Sequence, residues 1–228
     1  MSAAKKTIVV IPAYNEAENI AELIRRTSPY ADICVVNDAS KDDTEKIVRT
    51  FKDVTCLCHQ KNTHIPQAIL DGMKHALAAG YDYIITLDAG LSHRPEELPL
   101  FLDAPECDLV LGYRIKRENT LLYRKVISRL ATVLINFALR PFGSRLPRAK
   151  FRDVTSGYRR YSAQAAGLLI SRPMTAKSFD FLTEALMIIY RNGLSIREVP
   201  ITYSFSNSSL NTKVLMQSVQ MFFRMLLK

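Results

Sequence analysis

Polar side chains follow four of the predicted strands, at the point where each strand ends. These residues are Asn15 and Glu16, Asn37 and Asp38, Asp88, and Arg114. The carboxyl ends of parallel strands share one edge of a sheet, and ligands of open α/β sheets bind beyond that edge. We therefore expect one polar ligand-binding crevice. The sequence has no Gly-x-Gly-x-x-Gly turn and no Gly-x-x-x-x-Gly-Lys loop, which argues against a dinucleotide-binding fold and a P-loop NTPase.

Strand and helix patterns alternate through the first half of the chain. Apolar and β-branched runs predict strands over 7–14, 31–38, 54–60, 81–87 and 108–114. The predicted helices are one capped by Asn15 with Glu18, one capped by Ser40 over 42–51, one over 66–79 stopped by Gly80, and a short one from Pro95. This alternation predicts an α/β fold, with a mainly parallel sheet and helices on both faces.

The second half of the chain has a different pattern. It begins with an apolar helix interspersed with basic residues over 121–139, followed by a polar, turn-rich segment over 151–162. A helix over 179–192, stopped by Gly193, and a strand over 195–205 come next, and a final amphipathic helix covers 211–227. We see no internal repeat and no linker. The 228 residues therefore predict a single domain, with 1–111 and 112–228 as its two halves.

The charge of the chain is concentrated in one region. The net charge is +9, yet residues 1–111 hold 11 basic and 17 acidic side chains, whereas residues 112–160 hold 13 basic and 2 acidic ones. Such an excess predicts a polyanionic partner. No nucleic-acid motif accompanies it, so we expect no nucleic-acid partner. The 48% of hydrophobic residues rules out a disordered chain.

The ends and the cysteines suggest a cytoplasmic protein. No secretory signal pattern precedes the first strand, and no apolar run reaches the roughly 20 residues needed to span a bilayer. Cys34, Cys56, Cys58 and Cys107 show no zinc-binding spacing. We expect all four to be free, buried thiols.

Seven segments resemble family 2 glycosyltransferases of the GT-A type, and specifically the dolichyl-phosphate mannosyltransferase-like branch. In the order of that family they are IPAYNE at 11–16, VNDASKDDT at 36–44, LDAGLSHRPE at 87–96, GYR at 112–114, RKVIS at 124–128, DVTSGYR at 153–159 and EVPI at 198–201. Each segment is weak alone, but the ordered set is specific. The resemblance implies a GT-A, Rossmann-like sheet followed by C-terminal amphipathic membrane-interface helices.

The resemblance also implies a nucleotide-sugar donor, GDP- or UDP-hexose, in the crevice. It places Pro12, Tyr14 and Glu16 against the nucleoside. It places Asp38 on the base, where a carboxylate can accept a hydrogen bond from a guanine or uracil ring N–H. A turn-capping aspartate is the alternative interpretation of Asp38. The first-turn position of Asp42 predicts a structural role.

The metal motif of the family departs from its usual form. The family's Asp-x-Asp holds Mg²⁺ or Mn²⁺ against the donor diphosphate, where the metal offsets the charge of the leaving group. Here the motif is Asp88-Ala89-Gly90, so the second carboxylate is missing. We expect Asp88 to be the metal ligand in a weaker or differently arranged site. We expect neighbouring His93 to cap or pack there.

The resemblance assigns three basic residues to phosphate groups. They are Arg114, Arg124 and Lys213, near the donor diphosphate or the acceptor phosphate. Guanidinium groups bind phosphate through two parallel hydrogen bonds, which suits the two arginines. The family's other loop arginine is replaced near Asn207, so this loop is expected to hold phosphate less firmly.

The chemistry of the acceptor favours a lipid phosphate. A hydroxyl acceptor needs a general base, whereas a lipid phosphate is already an anion and needs positive charge and an apolar surface. Residues 112–160 offer both positive charge and an apolar helix face. Apolar helices interspersed with Lys and Arg are typical of a membrane interface. An ordinary core helix is the alternative, and both roles can coexist.

The leading hypothesis is an inverting transfer of a hexose, most simply mannose from GDP-mannose, to a polyprenyl or dolichyl phosphate. The enzyme would act at the cytoplasmic face of a membrane, and a membrane-protein partner stays open. A second hypothesis uses a hydroxyl acceptor with Asp153 or Glu184 as base, although a hydrogen bond to a loop or an arginine is favoured for both. A third is a degenerate, non-catalytic nucleotide-sugar-binding protein, suggested by Gly90 and Asn207.

Overall fold

The computed structural model describes residues 5–118, 122–140, 146–176, 178 and 180–204. Within these residues seven strands form one sheet, in the order β3-β2-β1-β4-β6-β5-β7. The strands are β1 (Thr7–Ala13), β2 (Asp32–Asn37), β3 (Val54–Cys58), β4 (Tyr83–Thr86), β5 (Leu109–Glu118), β6 (Arg159–Ser162) and β7 (Ile196–Ser204).

Helices flank this sheet on both faces. They are α1 (Ile20–Thr27), α2 (Thr44–Val48), α3 (His64–Ala78), α4 (Leu98–Leu102), α5 (Leu122–Leu139), α6 (Ala163–Ile170) and α7 (Asp180–Arg191), with a 3₁₀ turn at Pro95–Glu97. The predicted helix stops at Gly80 and Gly193 are confirmed. Both glycines have a φ near +70°, which costs glycine no side-chain clash.

The sheet is mainly parallel, as predicted. β1 pairs in parallel with β2 and β4, β2 with β3, and β5 with β7. β6 is the exception, because it runs antiparallel to both of its neighbours, β4 and β5.

The central strands supply two cores. Ile8 and Val10 of β1 join the core on the side of α3, α6 and α7, while Val9 and Ile11 join the core that includes α1 and α4. A strand buried on both faces has a continuous apolar sequence, and this is why the first strand could be predicted so directly.

The first two helices begin later than predicted. Asn15 does not cap a helix: it has a φ of +55°, and the Glu16 carbonyl instead accepts the backbone N–H of Asn19 and Ile20 at the start of α1. The helix predicted over 42–51 is shorter in the structure and corresponds to α2. Ser40 does not cap this helix, because its hydroxyl accepts the backbone N–H of Asn15. Both predicted caps are wrong because these polar side chains bind each other's loops.

The segment predicted as turns over 151–162 contains β6, and α6 follows it. Ser162 caps α6, because its Oγ accepts the N–H of Ala165 at 3.1 Å. A four-residue strand that carries two arginines, Arg159 and Arg160, lacks the apolar run on which strand prediction depends.

The cysteines are free, but only two of them are buried. Cys34 and Cys107 are buried, Cys56 is partly buried and Cys58 is exposed, which corrects the expectation for the latter pair. None of the helices in the described part of the chain is long and apolar enough to cross a bilayer. The final helix predicted over 211–227 lies outside the described residues.

Candidate functional site

The carboxyl ends of β1, β2 and β4 meet at one edge of the sheet. Pro12 and Ala13 pair with Val36 and Asn37, and Val10 pairs with Thr86 two residues before Asp88. A pocket opens beside Asp88 between α3 and α7. Its lining includes Pro12, Ile65, Ile69, Asp88, Phe181 and Leu182. The predicted crevice therefore combines a carboxylate with largely apolar walls.

Asp88 is held in place by a glycine and a histidine. A Cβ on Gly157 would lie 3.0 Å from Oδ1 of Asp88, so only glycine fits without displacement. The Nε2 atom of His93 lies 3.5 Å from Oδ2, while 42% of the Asp88 side chain stays accessible. Burial acts to raise the pKa of Asp88, but the His93 imidazole and the Arg114 guanidinium outweigh it and keep that pKa below its ordinary value.

His93 packs as predicted, and it also contacts Asp88, which the sequence did not reveal. Its ring is almost fully buried between Tyr158 and Tyr203, with ring centroids 5.3 and 5.2 Å away. Among the described residues its Nδ1 has no hydrogen-bond partner. The imidazole therefore directs its one polar contact at the carboxylate of Asp88.

The residues around Asp88 offer a divalent metal one carboxylate. The described part of the chain contains no group of three His, Cys, Asp or Glu side chains that could hold an ion together. Gly90 supplies no side chain, as its sequence position implies. A single accessible carboxylate still fits Mg²⁺ or Mn²⁺ when phosphate oxygens and water fill the other positions. Asp88 fits an ion that is shared with a bound diphosphate.

Hydrogen bonds join the loops after β1 and β2. The backbone N–H of Asn15 donates to Oγ of Ser40 at 2.9 Å, and the N–H of Lys41 donates to Oδ1 of Asn15 at 2.7 Å. The N–H of Glu16 donates to Oγ1 of Thr44 at 2.8 Å. These bonds fix the first two loops of the crevice relative to each other.

Tyr14 and Glu16 lie on the first of these loops. Tyr14 is exposed, so its ring is available to a ligand. The Glu16 carboxylate accepts a hydrogen bond from Nδ2 of Asn19 at 3.0 Å. Burial raises the pKa of Glu16, and repulsion from Asp42 and Asp88 adds to the rise. Asp42 has the predicted structural role, since its carboxylate accepts the N–H of Ala17 and of Thr44 at 3.0 Å.

Asp38 fixes the start of α3. Its Oδ1 accepts the N–H and the hydroxyl of Thr63 at 2.7 and 2.8 Å, and its Oδ2 accepts the N–H of His64 at 2.8 Å. Nδ1 of His59 lies 2.7 Å from Oδ1. Burial would raise the pKa of Asp38, but these hydrogen bonds outweigh it and lower that pKa. Asp38 therefore caps a turn, which is the alternative interpretation of this residue. A contact between its carboxylate and the nucleotide base stays a prediction.

Arg114 forms a buried ion pair instead of pointing freely into the crevice. Its Nε and Nη2 lie 2.6 and 2.9 Å from the two carboxylate oxygens of Asp153, and Nη2 also donates to Ser128 at 3.2 Å and to Thr155. Burial acts to lower the pKa of Arg114, but Asp153 outweighs it and raises that pKa. The guanidinium lies over the ring of Tyr203, 5.2 Å from its centroid. Its direct contact with phosphate stays a prediction.

Two other predicted phosphate contacts cannot be placed. Arg124 lies on α5, but its side chain is outside the described part of the structure, and so is the whole of Lys213.

Comparison with known families decides the class of the chain. The family model described as "Glycosyl transferase family 2" matches residues 8–166, which is more than half of the sequence. The chain belongs to glycosyltransferase family 2. The resemblance inferred from the ordered motifs is therefore confirmed.

Curated relatives of this family 2 glycosyltransferase support the predicted branch. Polyprenol monophosphomannose synthase of Mycolicibacterium smegmatis is 30% identical, over 88% of this chain and 78% of its own. UDP-N-acetylglucosamine–dolichyl-phosphate N-acetylglucosaminyltransferase of Methanococcus voltae is 30% identical over 99% and 96%. Undecaprenyl-phosphate mannosyltransferase of Micrococcus luteus is 31% identical over 87% and 83%.

Solved structures confirm the predicted GT-A fold. Glucosyl-3-phosphoglycerate synthase from Mycobacterium tuberculosis, in complex with Mn²⁺, UDP and glucosyl-3-phosphoglycerate, aligns with a TM-score of 0.72 over 96% of this chain and 78% of that one, at 19% identity. Mannosyl-3-phosphoglycerate synthase from Rubrobacter xylanophilus aligns with a TM-score of 0.68 over 97% and 72%, at 16% identity. At such identities the likeness concerns the fold alone.

The two candidate general bases of the glycosyltransferase, Asp153 and Glu184, both form hydrogen bonds to an arginine or a loop, as predicted. Asp153 is buried and binds Arg114. Glu184 is also buried, and its carboxylate accepts the N–H of Thr175 at 2.9 Å and the N–H of Ala176 at 2.7 Å. Both carboxylates stabilise neighbouring segments.

Part of the basic segment has a structural role that sequence reasoning missed. Arg159 donates to the carbonyls of Val154, Ser156 and Leu182 at 2.6–2.9 Å. Arg160 donates to the carbonyls of Phe101, Ala104 and Pro105 and stacks on Tyr83. Both arginines are almost fully buried, so they add nothing to a surface that binds polyanions. The sequence held no signal for this role, because the strand that carries both arginines was itself predicted as turns.

Helix α5 has two apolar faces. Ile135, Ala138 and Leu139 are buried against the core. The opposite face is exposed and consists of Val126, Leu130, Val133, Leu134 and Phe137, which we call the outer face of α5. Phe137 is 74% exposed. The core contact is thus observed, and the exposed apolar face is available to a membrane, whose binding stays a prediction.

Proposed function

We propose that the protein transfers a hexose, most simply mannose from GDP-mannose, to a polyprenyl phosphate with inversion at the anomeric carbon. Three curated relatives support the acceptor class, because their names specify polyprenol, dolichyl or undecaprenyl phosphate chemistry. Two of those names specify mannose and one specifies N-acetylglucosamine. Mannose is therefore the first donor to test.

One observation carries the proposal: both candidate general bases are buried and occupied by hydrogen bonds. Asp153 pairs with Arg114, and Glu184 binds the backbone of the 175–176 segment. A hydroxyl acceptor would need one of them free to take a proton. A phosphate monoester is already deprotonated, so it attacks without that help.

The proposed reaction exchanges one C–O bond for another. A lipid-phosphate oxygen attacks the anomeric carbon of the donor sugar, and the bond from that carbon to the β-phosphate oxygen breaks. A divalent ion held by Asp88 would neutralise charge on the departing nucleoside diphosphate. Pro12, Tyr14 and Glu16 would hold the nucleoside, and Arg114 would add positive charge beside Asp88.

The outer face of α5 is proposed to rest on the membrane that contains the acceptor. Arg129 on α5 is exposed, and so is Arg140, which directly follows the helix. Apolar side chains bordered by arginine are typical of helices in the membrane interface. Each basic residue near an anionic surface adds about 1 kcal/mol of attraction. A peripheral protein at the cytoplasmic face is the corresponding location.

The test is a transfer assay with purified full-length protein, undecaprenyl phosphate in detergent and Mg²⁺ or Mn²⁺. Radiolabelled GDP-mannose, UDP-N-acetylglucosamine and UDP-glucose are supplied separately. We expect label from GDP-mannose in the lipid fraction, released by mild acid as a glycosyl phosphate is. Parallel reactions without lipid, and with glycerol or 3-phosphoglycerate, control for hydroxyl acceptors.

The outcomes separate the three hypotheses. Label in lipid from another donor would correct the sugar and keep the reaction. Label only in a hydroxyl acceptor would overturn the lipid-phosphate proposal. A donor that stabilises the protein thermally, without transfer to either acceptor, would indicate a non-catalytic nucleotide-sugar-binding protein.

A further inference from the structure

Cys56 and Cys58 form a thiol pair at the edge of the sheet. Both belong to β3, which is the terminal strand of the sheet order. Residues two apart on a strand project from the same face. Their Sγ atoms lie 3.6 Å apart, and Cys58 is exposed while Cys56 is partly buried. The pair is therefore close and open to small reagents from the solvent.

The other two cysteines do not compete for these sulfurs. Cys34 is fully buried in the core on the α3 side of the sheet, whereas Cys56 packs against the opposite core. Cys107 is buried and its thiol donates to the carbonyl of Leu109. Within the described residues, no set of three ligands surrounds the pair that could make it a metal site.

Charged side chains lie beside the exposed sulfur. Nη2 of Arg49 is 3.6 Å from Sγ of Cys58, and Nε of the same guanidinium is 2.8 Å from Oε1 of Glu45. The thiolate is the nucleophile in thiol oxidation, and the sulfur of Cys58 is the one that a reagent in the solvent reaches directly. We propose that Cys56 and Cys58 are a redox-active dithiol, which a peroxide converts reversibly into an intramolecular disulfide.

The proposed oxidation has two steps. The Cys58 thiolate attacks hydrogen peroxide, the O–O bond breaks, and a sulfenic acid and one water form after protonation. The Cys56 sulfur then attacks the sulfenic sulfur, the S–O bond breaks, and the disulfide and a second water form. Two thiols and one peroxide thus give one disulfide and two waters. Cys58 is exposed whereas Cys56 is partly buried, so the peroxide reaches Cys58 first.

The bridge would act on the nucleoside end of the crevice. Closing it brings the sulfurs from 3.6 Å to about 2.0 Å at the last residue of β3. The next residue is His59, whose backbone N–H binds the carbonyl of Asn37 and whose ring contacts Asp38. We expect the oxidised protein to bind the donor more weakly, and this consequence rests on the proposed function.

The test treats the full chain with hydrogen peroxide, blocks remaining thiols with N-ethylmaleimide and maps tryptic peptides. One tryptic peptide, residues 53–61, contains both cysteines. We expect this peptide to be about 2 Da lighter, from loss of two hydrogens, and to regain two blockable thiols after dithiothreitol. The peptides with Cys34 and Cys107 serve as internal controls and should stay reduced.

Thermal shift with GDP-mannose measures the consequence for the site. We expect peroxide to diminish the donor-induced shift of the natural protein and dithiothreitol to restore it, while Cys56→Ser keeps its shift. Oxidation of Cys58 to a sulfinic acid, with Cys56 still blockable, overturns the bridge. If peroxide diminishes the donor-induced shift of Cys56→Ser equally, the link between the disulfide and the donor site is overturned. A reduced protein that responds to no donor contradicts the proposed function instead, since the peptide map still reports the bridge.

Discussion

Residues 1–111 and 112–160 differ in the sign of their charge and also in what that charge does. In the acidic region, Asp38 and Asp42 accept backbone N–H groups of loops that shape the crevice. In the basic region, Arg159 and Arg160 donate to backbone carbonyls deep in the core. The difference shows that a regional charge count overstates what a ligand can reach, because burial removes part of it from solution.

The charge that does remain at the surface of the basic region is carried by other residues. Among the side chains that the structure describes in this region, they are Lys116, Arg129, Arg140, Arg148, Lys150 and Arg152. In the acidic region, Asp88 is an accessible carboxylate that lines the pocket. Chemistry at Asp88 and lipid contact at α5 should therefore respond to different substitutions.

The largest effect is expected at Asp88. Asp88→Ala should lower turnover about 10³-fold, because it removes the carboxylate that we propose holds the metal, and each tenfold corresponds to about 1.4 kcal/mol of transition-state stabilisation. Initial rates of mannose transfer to lipid measure it. Asp53→Ala, at an exposed position, is the control and should keep normal rates, and a near-normal rate in Asp88→Ala would contradict the assignment.

Arg159→Met should have the largest effect on folding. It removes three hydrogen bonds to backbone carbonyls, at about 1 kcal/mol each, so the free energy of unfolding should fall by about 3 kcal/mol. Urea denaturation measures this loss. Arg148→Met, which replaces an exposed arginine of the same region, should change stability by less than about 0.5 kcal/mol. Equal losses in the two variants would erase the distinction between buried and surface charge.

Leu130→Glu should weaken membrane binding with little effect on the crevice. Leu130 is 57% exposed on the outer face of α5, and Leu100 on α4 is 41% exposed and provides a matched control. Loss of one apolar contact should reduce binding to phosphatidylglycerol vesicles about tenfold. Co-sedimentation measures it. If Leu100→Glu weakens binding equally, the outer face of α5 has no special role in membrane contact.

The smallest effect concerns the pH dependence of stability at Asp38. Its pKa is lowered in the folded protein, so its contribution to stability is full above the ordinary value of 3.8 and is lost as pH falls through the lower folded value. Asp38→Asn should cost about 1 kcal/mol near pH 7 and should lose less stability below pH 3.8 than the natural protein. Denaturant melts between pH 2.5 and 7 test this, with Asp53→Asn as control. Parallel pH curves for Asp38→Asn and the natural protein would contradict the assignment.

The sequence predicted the strands better than the caps. β1 and β2 are apolar on both faces, so their runs are visible without knowledge of their neighbours. Asn15 and Ser40 resemble helix caps, but they bind each other's loops across 25 residues of sequence. The strand β6 was missed because its short sequence contains two arginines, whose partners lie in other elements.

Only part of the candidate site was predicted, because local motifs are visible in the sequence whereas contacts between distant loops are not. The order of the motifs identified the family and brought Pro12, Glu16 and Asp88 to one edge of the sheet. The contact between His93 and Asp88, and the ion pair between Arg114 and Asp153, depend on how distant loops pack. The sequence contained no signal for the closeness of Cys56 and Cys58 beyond their spacing.

The sequence by itself determined the fold class, the glycosyltransferase family and the edge of the sheet where chemistry is expected. These follow from local patterns, namely the period of apolar residues and the residues that end each strand. Only the tertiary structure decided which charges are available to a ligand. Arg160 and the carbonyl of Phe101 are 59 residues apart, and Asp38 and Thr63 are 25 apart. Burial and hydrogen-bond partners at such separations arise from packing, and they determine whether a charged side chain binds a ligand or stabilises the fold.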